Sequence, residues 1–319
     1  MKRVIAIVNK WWECDAALVP VFDLDSRAKD LLPWPSPGDL HHPHQRTNPT
    51  SERAPDLKIV PRVTLHLNSL VAEIWCISDI LEHLPDRATY QSSSWQKVQR
   101  LPAIIAAGDT PDCVIAVGTA AMSDPALNFN GSVVVGTQVF LFDPYAGKQN
   151  PDSPWGDESF GKVLLSTIDS KLFAFMTLKL QSFQLKFLAT GRTGDHQRTL
   201  ICEPRGIALC DVNVTDNTLY ATVDPQAVAA CKKVTSDPIV SVETTHGVIR
   251  AVAGSSFLFV SGISNRFGRF VDEVGPAGYS QTFPAAHNAG LVLCGVISSL
   301  NEYWSNAPPR HSTQPFTSP

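Results

Sequence analysis

Charge is scarce in this sequence. Only 18% of its 319 residues are Asp, Glu, Lys or Arg, and the formal net charge is −4. No Lys/Arg block forms the electrostatic footprint a polyanion needs, so nucleic acid is not expected as a partner. No apolar run reaches the roughly eighteen residues of a membrane span. The first apolar run, residues 4–8, is too short for a signal-peptide core. These absences predict a cytoplasmic protein with no membrane partner. The seven cysteines are odd in number and never spaced CxxC, and most sit inside apolar runs. They read as buried reduced thiols, which fits a reducing compartment. Also missing are a GxGxxG after a strand, a P-loop, HExxH and GxSxG. A dinucleotide dehydrogenase, a nucleotide triphosphatase, a zincin and an α/β-hydrolase therefore lack their usual signals.

What the chain has in quantity is apolar residues, 44% of the total, enough to bury a large core. Residues 4–8 form a short β-branched run that suits a strand buried on both faces. A helix is expected over 13–22. Composition then changes: Pro33, Pro35, Pro37, Pro43, Pro49 and Pro55 crowd residues 33–56 together with His41, His42 and His44. Proline at that density forbids regular structure, so this reads as a loop insertion. Its histidines read as solvated rather than as a metal site, and no metal or cofactor is expected. Strands are predicted over 58–64, 113–117, 131–142, 207–214, 239–242 and 257–263. Helices are predicted over 68–84, 95–107, 224–235, 245–253 and 284–300. Residues 170–188 are ambiguous. In the 224–235 helix, Asp224 reads as an N-cap and Pro225 as the first helical residue. Alternation of strands and helices predicts one α/β domain over 1–303, with a mixed, largely parallel sheet covered by helices on both faces. Residues 304–319 read as a flexible tail.

Three predicted strands end in polar or small residues. Gly118-Thr119-Ala120-Ala121 follows CVIAV and reads as a turn where a ligand can approach backbone. Glu243-Thr244-Thr245-His246 follows IVSV, where Thr also suits a helix cap. Ser264-Asn265 follows FLFVSGI. Open α/β sheets hold ligands at the carboxyl ends of their strands, so the three together read as one site. Asp211 and Asn213 end a fourth strand.

The order and spacing of these segments resemble the superfamily of purine nucleoside phosphorylases and methylthioadenosine/S-adenosylhomocysteine nucleosidases. VETTHGVIRAVAGSSFLFVSGISN, then FPAAHNAGLVLCGVISSL, is similar to the family's Val-Glu-Met-Glu run, short helix, Ser-Asp strand end and closing helix. CVIAVGTAAMSDPALNFNGSVVVGTQVFLFD is similar to its Gly-Ser-Ala-Gly turn and the strand after it. VIAIVNKWWECDA is similar to its first strand and acid-bearing helix. The resemblance spans most of the chain except residues 24–56 and roughly 144–200.

The resemblance implies a role for each position, and several positions depart from it. Glu243 falls on the first Glu. Thr244 falls on the Met that packs against the sugar, and Thr245 on the Glu that binds the ribose hydroxyls. A Thr accepts hydrogen bonds less strongly than a carboxylate. Asn265 falls on the Asp that protonates the leaving purine, and a carboxamide is no general acid. Thr119, beside Ala120, falls on the Ser of the glycine-rich turn. Strict alignment puts Cys14 on the acid that orients the attacking water; Glu13 and Asp15 flank it, and either can take the role. His246 stands beside the site and reads as structural or as a substitute acid. Ala116 replaces the phosphate-holding Arg of phosphorylases, and no glycine-rich phosphate loop follows the first strand, which favours hydrolysis.

The sequence therefore predicts a nucleosidase-like protein that binds a nucleoside or related N-glycoside and cleaves it without phosphate. Catalysis is assigned to Glu13, Asp15, Glu243 and Asn265. Ligand contacts are assigned to Thr119, Ala120, Asn213, Thr244, Thr245 and His246. A homo-oligomer, by family resemblance a dimer, is expected. A catalytically degenerate binding protein on the same fold, or a scaffold that docks partners through residues 33–56, are the alternatives.

Overall fold

The computed structural model describes residues 1–22, 60–81, 93–124, 126, 129–143, 161–190, 198–212, 220–274 and 279–306. Asn213, the 33–56 insertion and residues 307–319 lie outside them.

Among the described residues there are nine strands and eight helices. The strands are β1 (Lys2–Val8), β2 (Val63–His66), β3 (Leu70–Cys76), β4 (Cys113–Met122), β5 (Val133–Phe142), β6 (Val163–Leu164), β7 (Leu200–Asp211), β8 (Ile239–Glu243) and β9 (Phe257–Arg266). The helices are α1 (Trp11–Phe22), α2 (Ile77–Leu81), α3 (Ser93–Ala106), α4 (Ser170–Ser182), α5 (Tyr220–Val234), α6 (His246–Ala253), α7 (Phe270–Glu273) and α8 (Tyr279–Asn306).

The strand order is β2-β3-β1-β4-β8-β7-β5-β6, with β9 pairing to both β4 and β5. The sheet thus curls on itself: β4, β9, β5, β7 and β8 form a closed ring, and β1, β3 and β2 extend from β4. It is mixed, as expected: β1–β3, β1–β4, β4–β9, β5–β7 and β7–β8 are parallel, and the other four pairings are antiparallel.

Side-chain alternation along β1 divides the core. Val4, Ala6 and Val8 pack with α1, α4 and α8, through residues such as Leu18, Met176 and Val292. Ile5 and Ile7 pack on the other face with Leu101 and Ile104 of α3 and Val248 and Ile249 of α6. A third cluster joins β5 and β7 to Ala227 and Cys231 of α5. Each fully buried Val, Leu or Ile contributes about 1.5–3 kcal/mol. Helix α8 is long and apolar enough to cross a membrane, but most of its apolar stretch is buried inside the protein. Two glycines let it pack so closely. A Cβ on Gly262 of β9 would lie 1.9 Å from the Ala285 carbonyl oxygen, and one on Gly290 would lie 2.0 Å from that of Ala17 in α1.

Three local expectations are corrected. Residues 70–76, expected within a helix over 68–84, form strand β3, and only Ile77–Leu81 is helical. Leu70 and Ile74 are four apart, a spacing that fits helical and strand periods alike; Val71, Ile74 and Trp75, in a segment paired with β1, settle it. Gly118–Ala121, expected as a turn, continues β4, because β9 pairs alongside as far as Met122. Asp224, expected as an N-cap, lies one turn inside α5, which starts at Tyr220. The ambiguous stretch resolves as α4, with the Asp169 side chain accepting from the Lys171 N–H.

Candidate active site

A cavity of about 210 Å³ opens where the ends of β4, β8 and β9 meet the first turns of α1 and α6. Helices α5 and α7 close its far side through Tyr220, Asp224 and Phe270.

Glu13 enters it from the first turn of α1. Its Oε2 accepts from the Lys10 N–H at 3.1 Å, half of a capping box, and its charge suits a helix N-terminus. Its Oε1 accepts from the Thr119 N–H at 3.0 Å and the Thr119 hydroxyl at 2.6 Å. A carboxylate offers about four acceptor positions, so three donors fix it in place and leave one position for a water. Gly118 leaves room for this: a Cβ there would sit 3.4 Å from His246 Nε2 and 3.5 Å from Glu13 Oε1. Of the three adjacent residues considered at this position, Glu13 alone lines the cavity. Cys14 is fully buried beside Cys76 in the core. Asp15 is corrected: two residues on is about 200° around a helix. Its side chain is 55% exposed, ion-paired to Arg62, and lines a separate shallow depression.

Glu243 ends β8 and caps α6. Its Oε2 accepts from the N–H groups of Thr245 and of His246, the latter at 2.7 Å. Thr245, expected as a possible side-chain cap, makes no capping bond. Oε1 of Glu243 is buried without a hydrogen-bond partner among the described residues. Thr245 instead accepts through Oγ1 from Lys97 Nζ at 2.8 Å. Lys97 comes from α3 and is 3% exposed. Burial first, then the nearby Lys10, push its pKa down to about 8, against Cys210, Glu243 and Glu13. His246 stacks on Phe259, with Nδ1 3.3 Å from the Ser261 hydroxyl. Ala120 and Thr244 also line the cavity.

Asn265 lines the cavity at the end of β9, but its carboxamide is largely engaged. Oδ1 accepts from the Ser264 hydroxyl at 2.8 Å, and Nδ2 donates to the Arg266 carbonyl at 2.9 Å. Asp224 of α5 reaches the same region. It is 3% exposed, accepts from the Gly268 N–H, and faces the fully buried Asp211 at the end of β7. Burial raises both carboxyls. For Asp211 the hydrogen bond and charge of Asp224, then Glu243, add to the rise; for Asp224, Asp211 and the Gly268 amide oppose it.

Most candidate residues therefore meet in one place: Glu13, Thr119, Ala120, Glu243, Thr244, Thr245, His246 and Asn265 share the cavity. Sequence reasoning missed Lys97, Tyr220 and Phe270, which come from remote helices and carry no motif. Asp224 was visible only as a helix cap. Among the described residues, no group of three or more His, Cys, Asp or Glu is placed to hold a metal ion.

By sequence the chain matches no family model and no curated protein. By structure it is similar to Helicobacter pylori 5'-methylthioadenosine/S-adenosylhomocysteine nucleosidase, with a TM-score of 0.51 and 11% identity over 93% of this chain and 97% of that one. Arabidopsis thaliana 5'-methylthioadenosine nucleosidase gives 0.52 and 12%, over 97% of this chain and 98% of that one. Futalosine hydrolase of Helicobacter pylori gives 0.50 and 11%, over 93% and 97%. The chain thus has the α/β fold of the nucleosidases, in a single domain.

Proposed function

We propose that this protein hydrolyses the N-glycosidic bond of a nucleoside or related N-glycoside. One observation carries the reading: two buried carboxylates from different elements, Glu13 and Glu243, enter one cavity, and Glu243 Oε1 lacks a donor there. Fission of a C–N glycosidic bond builds positive charge on the sugar ring. A fixed carboxylate in a water-poor site stabilises that charge without reorganising. In this reading Glu13 holds the attacking water, and Glu243 and Thr245 take sugar hydroxyls. The base lies toward Asn265, against the aromatic pair Tyr220–Phe270, whose ring centroids are 5.3 Å apart. The fold agrees with this reading, since its structural neighbours include nucleosidases, one of them bound to a pyrrolopyrimidine–pyrrolidine ligand.

Hydrolysis is favoured over phosphorolysis because Ala116 is fully buried in β4 and packs in the apolar core, where an anion-holding Arg would stand. The test is chromatography of a nucleoside panel, with and without phosphate. Base release independent of phosphate supports the reading; a steep phosphate requirement with a sugar 1-phosphate product overturns it. A second reading, a binding protein without turnover, draws on the internal bonding of the Asn265 carboxamide. Thermal shifts by nucleosides with no product would favour it. We further propose a cytoplasmic homodimer; a monomer in sedimentation at micromolar concentration would remove the dimer.

A further inference from the structure

Cleaving a purine-type N-glycoside sends the bonding electrons onto the base, which then needs a proton. Asn265 cannot give one. Its Oδ1 and one amide hydrogen are already used by Ser264 and the Arg266 carbonyl. Of the three acidic residues that line the cavity, Glu13 and Glu243 are assigned to the water and the sugar, which leaves Asp224. Asp224 is buried, lines the cavity, and is held by the N–H of Gly268, three residues past Asn265. No N–H or hydroxyl donor among the described residues reaches its Oδ1. Behind it stands Asp211, fully buried, whose oxygens meet no donor among the described residues other than the Asp224 carboxyl. Two adjoining carboxyls so enclosed cannot both ionise without a large desolvation and repulsion cost.

On the N-glycosidase reading above, we propose that Asp224 is the general acid that protonates the leaving base, and that Asp211 is the positioning residue that faces it and stabilises the carboxylate it leaves. The step balances as follows. The C1'–N bond breaks and its electron pair goes to the base. The proton of the Asp224 carboxyl passes to a ring nitrogen. Water adds its oxygen to C1' and gives a proton to Glu13; Glu13 releases that proton to solvent, and solvent returns one to Asp224. The carboxylate left on Asp224 is stabilised by the Gly268 N–H and by the carboxyl proton that Asp211 retains. Burial raises both carboxyls above the ordinary range, which fits a protonated resting pair. Other titratable groups around the pair are Glu243 from β8, Cys210 from β7 and Tyr220 from α5. The ligand class follows: an N-glycoside whose leaving base carries a basic ring nitrogen, as adenine does.

The test compares the wild type with Asp224→Asn, Asp211→Asn and Asp211→Ala, each checked for folding by melting curve. Two probes are used. 5'-Methylthioadenosine releases a base that needs protonation; p-nitrophenyl β-D-ribofuranoside releases a phenolate that departs without it. Asp224→Asn is expected to lower kcat on the purine probe by about 10²–10⁴-fold, and to lower it far less on the nitrophenyl probe. It should also abolish the fall of kcat with rising pH on the purine probe. Asp211→Asn keeps a donor facing Asp224 and is expected to leave that alkaline limb in place, whereas Asp211→Ala removes the bond that lowers Asp224 and is expected to move the limb to higher pH, which a merely structural role would not do. A folded Asp224→Asn protein with unchanged purine kcat and alkaline limb, or with equal losses on both probes, overturns the proposal and leaves the N-glycosidase reading standing. A wild type that cleaves neither probe nor any panel nucleoside overturns both.

Discussion

Asp211→Asn also probes the carboxyl pair through stability, with no substrate present. Asp211 is fully buried. Burial, then Asp224, then Glu243, hold its pKa well above the ordinary carboxylate range. In the unfolded chain an Asp loses its proton near pH ~3.9. Between about pH 5 and 8 Asp211 alone therefore gives the native protein one proton more than the unfolded chain. The stability from that proton is fully present below the unfolded pKa and is lost as pH rises toward the folded one. One proton corresponds to a slope of about 1.4 kcal/mol per pH unit, or ~4 kcal/mol across three units. Asn does not titrate, and its N–H group can donate to an Asp224 carboxylate. The stability difference should therefore shift toward the variant by about 1.4 kcal/mol for each unit of rising pH. The window is free of Lys97. That group, pushed down to about 8, gains stability with rising pH only from there to its unfolded value near ~10.4. Urea unfolding of both proteins at four pH values across the window measures the gap. Parallel curves would show that Asp211 ionises in the native state, and the reasoning would fail.

Glu13→Gln keeps the shape of a side chain that accepts from Lys10 and Thr119. It should lower kcat by about 10²–10⁴-fold, with a modest fall in melting temperature because its amide nitrogen cannot accept as the second oxygen does; full turnover would remove Glu13 from the chemistry. Gly290→Ala forces a Cβ to 2.0 Å from the Ala17 carbonyl oxygen. It should destabilise by about 1–3 kcal/mol or more, and an unchanged urea midpoint would contradict the packing of α8 on α1. Lys97→Met removes an ammonium whose burial lowers its pKa to about 8, together with its bond to Thr245. Melting temperature at neutral pH should hold or rise, and KM should rise if Thr245 positions the ligand. A large fall in melting temperature would refute this.

Where sequence reasoning succeeded, the signal was local and one period dominated. The β-branched run of β1 and the apolar stripe of α8 are of that kind. It failed at Leu70–Cys76, where four-residue spacing fitted two periods and only pairing with β1 chose between them. It failed at Gly118–Ala121, where small residues read as a turn although β9 supplies a hydrogen-bonded neighbour. For the water-orienting acid, the sequence offered Glu13 and Asp15 equally. Helix phase separated them, turning one into the cavity and the other toward Arg62.

The sequence by itself determined the class of architecture and the strand ends on which polar residues gather, because both follow from short-range periodicity and from small or polar residues that close each run. It also exposed the departures Thr245 and Asn265, since a residue type is visible without a fold. Only the tertiary structure decided what stands beside those departures. Lys97 reaches Thr245 from a helix 148 residues away in sequence. Asp224, one turn inside α5, meets Asp211 at the end of β7. No local pattern encodes either meeting. Each arises because the curled sheet brings distant elements to one cavity, where burial turns ordinary ionisable residues into perturbed ones.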